Sequence, residues 1–175
     1  SGRRVLLKPN LNSADPTPGS THPAVLRAMV TKLQEMGAGA ITVGDRSGVG
    51  STASVLQKLG VHDLGAELGF DVVNFDRLHE AKDWVMVQPP DSHWKRGFPV
   101  PRLILDAEAI VQTCCLKTHQ YGGHFTMSLK NSVGMCGKSV PISNANFMDE
   151  LHSSAHQRSM IAEINYAYEP ALIVL

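Results

Sequence analysis

The chain has 175 residues, 43% hydrophobic and 18% charged, a composition that suits one folded domain with its own core and excludes an intrinsically disordered chain. Its 16 lysines and arginines balance 16 aspartates and glutamates, so no global charge draws it to nucleic acid or to an anionic membrane. Aromatic residues, at 6%, leave little material for stacking single-stranded bases.

Residues 5–7 read as a first strand ending in Lys8-Pro9-Asn10, and a polar, proline-rich loop, LNSADPTPGS, follows. Thr21 is the expected N-cap of the next helix, with Pro23 in its first turn, where proline is tolerated. Leu26, Met29, Val30, Leu33 and Met36 recur at helical spacing until Gly37. AITV is a second strand, closing on Gly44-Asp45. GVGST opens another helical stretch with Val55, Leu56 and Leu59, continued over residues 64–68, and FDVVNF is a third strand.

Residues 82–105 change character. WVMVQ and RLIL read as two short strands around the loop PPDSHWKRGFPVP, a small β-hairpin insertion. EAIVQTCCL is the longest strand candidate and leads into KTHQYGGHFTMSLKNSVG, of which TMSLKNSVG reads as a short helix. Residues 138–146 read as loop and 148–168 as helix, broken by Pro170 before a last strand, ALIVL. Strands apolar on both faces, alternating with helices, predict an α/β fold of three layers with a mostly parallel, Rossmann-like sheet. The chain is read as a single domain over residues 1–175, cut short at one or both ends, because it starts and stops close to strands.

In open α/β sheets ligands bind beyond the carboxyl ends of the strands. Those ends are polar here: Lys8 and Asn10, Asp45, Asn74 and Asp76, then Lys117 and His119. Thr126, Ser128, Lys130 and Asn131 follow at a helix start, where unpaired N–H groups and the helix dipole favour an anion and Lys130 adds full charge. Any one of these residues has an ordinary structural explanation, as a cap or a solvent-facing lysine. Taken together they predict one site for a carboxylate or phosphate, with Lys8, Lys117 and Lys130 supplying charge. Asp45 is a strand-end carboxylate suited to a lysine or a metal. GDRSGVGST matches neither dinucleotide nor P-loop spacing and reads as a turn before a capped helix.

His119, flanking a Gly-Gly turn with His124, is a candidate proton-transfer group beside Lys130. His152 and His156 are four apart and would share a helical face able to hold a metal. His62, His79 and His93 read as surface residues. Cys114, Cys115 and Cys136 are an odd set without C-x-x-C, so they offer no iron–sulfur or zinc framework and no disulfide pattern. Buried thiols of this kind favour a reducing compartment, the cytoplasm by default, with export of a longer protein left open.

VLLKPNLN, THPAVLRAMVTKLQEMGAGAITVGDRSG and AIVQTCCLKTHQYGGHFTMSLKNSVGMCG, with His156 before a late helix, together resemble the family known as domain of unknown function 362 (DUF362) nearly end to end. Members of that family often carry an appended ferredoxin-like cysteine cluster, and some carry twin-arginine export signals. The resemblance therefore implies a partnership with a ferredoxin-like domain or protein, although this sequence contains no such cluster motif. It also implies an Asp-Gly continuation after the last strand. A second, looser similarity is to the nickel-pincer lactate racemase family, in which a histidine, glycines and a cofactor-tethering lysine follow in the order of His119, Gly122, Gly123, Lys130 and Gly134.

The leading expectation is a small-molecule enzyme, or an enzyme-like domain, that binds a small anion and uses His119 and Lys130 for chemistry, with Lys8, Asn10, Asp45, Lys117, Ser128 and Asn131 as ligand contacts. The alternative is a metal or redox module built on His152 and His156 that works with a separate iron–sulfur domain. A binding scaffold without chemistry is the third class. The cofactor is not specified by any motif, and neither nucleic acid nor membrane is an expected partner.

Overall fold

The structure is a computed structural model that describes residues 2–119 and 123–175. Five parallel strands form its central sheet: β1 (Arg4–Lys8), β2 (Ala40–Asp45), β3 (Asp71–Asn74), β6 (Ala109–Thr113) and β9 (Leu172–Val174), in the spatial order β3-β2-β1-β6-β9. Leu7 pairs with Val43 on one side and Val111 on the other, so β1 is the central strand. Chain order reverses between β1 and β6, which opens a crevice at their carboxyl ends.

Alternation along β1 explains the layers. Val5 and Leu7 pack with Ile41, Val43 and Val111 against α1 (Pro23–Glu35), α2 (Thr52–Lys58) and α3 (Val61–Leu68). Leu6 and Ile110 face the opposite layer, which holds Trp84, Trp94, Phe98 and Ile104 together with α6 (Phe147–Ser153) and α7 (Gln157–Ile164). Two cores on two sheet faces are what strands apolar on both sides require. In α1, Leu26, Val30 and Leu33 are the buried stripe, and Gly37, at φ 81°, lets the chain turn back toward β2.

The three-layer α/β expectation is met, and local details differ. The insertion is a hairpin of β4 (Trp84–Val87) and β5 (Phe98–Pro101), antiparallel, with FPVP as its second strand. RLIL, expected as strand, is α4 (Arg102–Asp106), because Pro101 stands at its N-cap position and the chain must return quickly to β6. Thr21 does not cap α1; that cap is His22, whose Nδ1 accepts from Ala24 N at 3.1 Å. The expected helix over 148–168 is broken between Ser153 and Gln157. Beyond β6 come β7 (Lys117–His119), β8 (Gly123–Thr126) and α5 (Ser128–Asn131), which lead the chain back over the crevice.

Candidate functional site

β1 ends in a lysine that never reaches solvent. Lys8 is 1% exposed, and its Nζ donates to Asp45 Oδ1 at 2.7 Å, Pro9 O at 2.6 Å and Asn131 Oδ1 at 3.0 Å. All three ammonium protons are therefore engaged within the protein. Asp45, at the end of β2, accepts in addition from Leu11 N at 2.8 Å and Arg46 N at 2.7 Å. Burial pushes the Asp45 carboxyl above its ordinary range and Lys8 below its own, against their mutual attraction. Asn131 completes the knot, its Nδ2 donating to Lys8 O and to Thr113 O at the end of β6. Gly134 lies directly on this pair: a Cβ there would stand 2.4 Å from Asp45 Oδ1 and 3.0 Å from Lys8 Nζ.

Above this floor is a cavity of about 580 Å³, a size suited to a small ligand. Its wall includes Lys8, Asn10, Asp45, Lys117, His119, Lys130 and Asn131, so the strand ends named from sequence converge. Ser128 is not part of the wall. Lys8, Asp45 and Asn131, expected as ligand contacts, line this cavity with polar atoms turned on one another. They shape the floor. Asn10 is also mostly engaged, its backbone N–H and C=O pairing with Thr21 Oγ1 and Thr21 N.

The rest of the wall includes several basic groups. Lys130 is half-buried, and among the described residues it has no hydrogen-bond or ion-pair partner. Burial, then Arg46, Lys117 and Lys8, lower its ammonium from 10.5 to about 8. Lys117 donates to Gly19 O and is likewise held below its usual value, chiefly by burial. Burial first, then Lys130, Lys117 and His152, depress the His119 imidazolium.

Sequence reasoning missed Arg46. Its guanidinium is buried and donates to Cys136 O at 2.8 Å and Val133 O at 2.9 Å, with Met148 Sδ at 3.1 Å, and none of these partners is a carboxylate. The available signal was its place immediately after the strand-end Gly-Asp. Cys115 was read as core and instead lines the cavity. Five lysine and arginine side chains and three carboxylates share the wall, and one of those carboxylates neutralises Lys8. A chain of zero net charge has concentrated positive potential here.

Lys130 bears a folding cost with a definite pH window. Below pH 8 it is charged in both folded and unfolded states, and folding must desolvate it. Between about 8 and 10.5 the folded chain has released the proton while the unfolded chain keeps it, so stability rises with pH. Lys130→Met is expected to stabilise the protein at pH 7 by on the order of 2 kcal/mol. Urea titrations of both proteins should show the difference closing by pH 10.5.

His152 and His156 fall on separate elements. His152 is on α6 at the cavity wall, whereas His156 is the N-cap residue of α7 and stacks on His93 with ring centroids 4.5 Å apart. The single helix that was to align them does not exist. His93 is not a bare surface residue either, since Glu163 receives its Nδ1 contact at 2.5 Å and its backbone N–H at 3.0 Å. Among the described residues no group of three His, Cys, Asp or Glu is arranged to hold a metal. Gly122 of the expected Gly-Gly turn lies outside the described residues.

A parallel sheet with helices on both faces, its crevice lined by basic groups at the point where strand order reverses, defines a three-layer α/β domain with a ligand-sized cavity. The chain belongs to the DUF362 family: the family model, described as a domain of unknown function, matches residues 5–175. That match does not extend to the nickel-pincer similarity. A search of curated proteins finds no match to the chain. No helix among the described residues is long and apolar enough to cross a membrane.

Proposed function

We propose that this domain binds a small carboxylate- or phosphate-bearing molecule in the cavity at the carboxyl edge of the sheet. The observation that carries this reading is Lys130, a half-buried lysine that lines the cavity with no partner among the described residues. Burying an ammonium without a partner costs stability, and an anion there removes that cost. Lys117, on β7, supplies a second charge, and the buried Arg46 guanidinium adds to the field with backbone carbonyls as its oxygen partners. His119, on the same cavity wall, is the proton-transfer group of this reading. Lys8, Asp45 and Asn131 act indirectly, by fixing the floor.

Calorimetric titration with inorganic phosphate and with small carboxylates tests the reading. Lys130→Met and Lys117→Met should each weaken binding at least about ten-fold, the scale of one charge-assisted hydrogen bond. Affinity should also decline as pH rises through about 8, where Lys130 loses its charge. Equal affinity in wild type and both variants would remove the assignment.

A further inference from the structure

We infer that Lys130 is a nucleophile that forms an imine with a small carbonyl compound carrying a negative charge, such as an oxo acid or a phosphorylated ketone. The inference rests on the anion-binding reading and narrows it to a substrate class. Three observations point to it.

First, Lys130 presents its amine to a ligand-sized cavity and has no partner among the described residues, so its lone pair is not committed to the fold once the proton is gone. Second, it stands among other cations. Arg46, Lys117 and Lys8 all act on it, and with burial they hold it near 8, where a substantial fraction is neutral amine at physiological pH. A lysine desolvated beside other cationic groups is a recognised way to activate an amine toward carbonyl carbon. Third, the neighbours that repel the Lys130 proton also attract an anion. A carbonyl compound with a carboxylate or phosphate is drawn in by Lys117 and Arg46 and brings its carbonyl to the amine. An anion alone would use the charge but leave the nucleophile idle; a neutral carbonyl would leave the charge idle.

The step balances without an oxidant or reductant. The Lys130 Nζ lone pair attacks the carbonyl carbon, a C–N bond forms, and the carbonyl π electrons move to oxygen. The proton lost from nitrogen passes to that oxygen, giving a carbinolamine. Cleavage of the C–O bond with protonation of the departing hydroxyl releases one water and leaves the C=N bond. His119, on the wall of the same cavity and depressed toward its neutral form, suits the relay of that proton from nitrogen to oxygen.

The experiment is reductive trapping on the whole chain. Protein is incubated with pyruvate or with dihydroxyacetone phosphate in the presence of cyanoborohydride, digested, and each lysine's mass increment quantified. Lys130 is expected to be labelled at least ten times faster than any other lysine, with the increment of the reduced adduct. Inorganic phosphate should slow the labelling, and the two probes tell whether carboxylate or phosphate is preferred. Lys117→Met, which keeps the amine, should reduce the rate without moving the site of modification. Labelling spread evenly over surface lysines, with phosphate still bound by calorimetry, overturns the imine and leaves the anion site standing. Failure of both labelling and anion binding overturns the two together.

Discussion

Lys8→Met should cost about 3–5 kcal/mol of unfolding free energy, the range for removing one partner of a buried ion pair. The reason is what remains. Asp45 is 2% exposed and would keep a carboxylate facing two backbone N–H groups but no cation. Asn131 Oδ1 and Pro9 O would lose their donor at the same time. The deficit has a pH signature. Without Lys8, Asp45 takes up a proton on folding while the unfolded chain stays ionised, so the variant recovers relative to wild type as pH is lowered toward 4. Adding Asp45→Asn should restore part of the loss, because no lone charge is then buried, although the single amide oxygen can accept from only one of Leu11 N and Arg46 N. Chemical denaturation of the two single variants and the double variant measures the coupling. A Lys8→Met deficit below about 1 kcal/mol would mean the pair is not the structural knot described here.

Gly134→Ala should also destabilise, by about 2–3 kcal/mol, although residue preference alone argues the other way. Gly134 lies in the short 3₁₀ turn Ser132–Met135 and is not among the glycines with positive φ, so alanine is allowed there and would ordinarily gain up to about 1 kcal/mol. The obstacle is space. The new methyl would stand 2.4 Å from Asp45 Oδ1 and 3.0 Å from Lys8 Cε and Nζ. Neither side chain can retreat, since each is fixed by at least two other hydrogen bonds. Overpacking of this kind costs about 1–3 kcal/mol in well-packed interiors. Phosphate titrated into Gly134→Ala should bind more weakly than to wild type, because the cavity floor moves. A rise in thermal midpoint for this variant would show that the pair has room to yield.

The sheet was legible in the sequence because its strands are short apolar runs punctuated by Gly-Asp, Pro and polar loops, and those signals are local. The carboxyl-edge rule then placed Lys8, Asp45, Lys117, His119 and Lys130 near one another, and they do line one cavity. What could not be read was which of them face each other. The distinction between Lys8, with every proton engaged, and Lys130, with none engaged among the described residues, depends on contacts across 123 residues of chain. Arg46 was overlooked because its partners are backbone carbonyls, which leave no trace in side-chain identity. RLIL was misread because a short apolar run has no period long enough to separate strand from helix. His152 and His156 were paired on spacing alone, and the break in the helix between them dissolved the pairing.

The knot beneath the cavity joins Lys8, Asp45, Asn131 and Gly134, which lie on the first two strands and on a segment more than eighty residues later. No fragment that ends before Gly134 can assemble it. A chain still being synthesised has the first half of the floor and nothing to close it until the returning segment has docked. An anion bound as proposed should protect the amides of β1, β2 and β6 from exchange together, as one cooperative block.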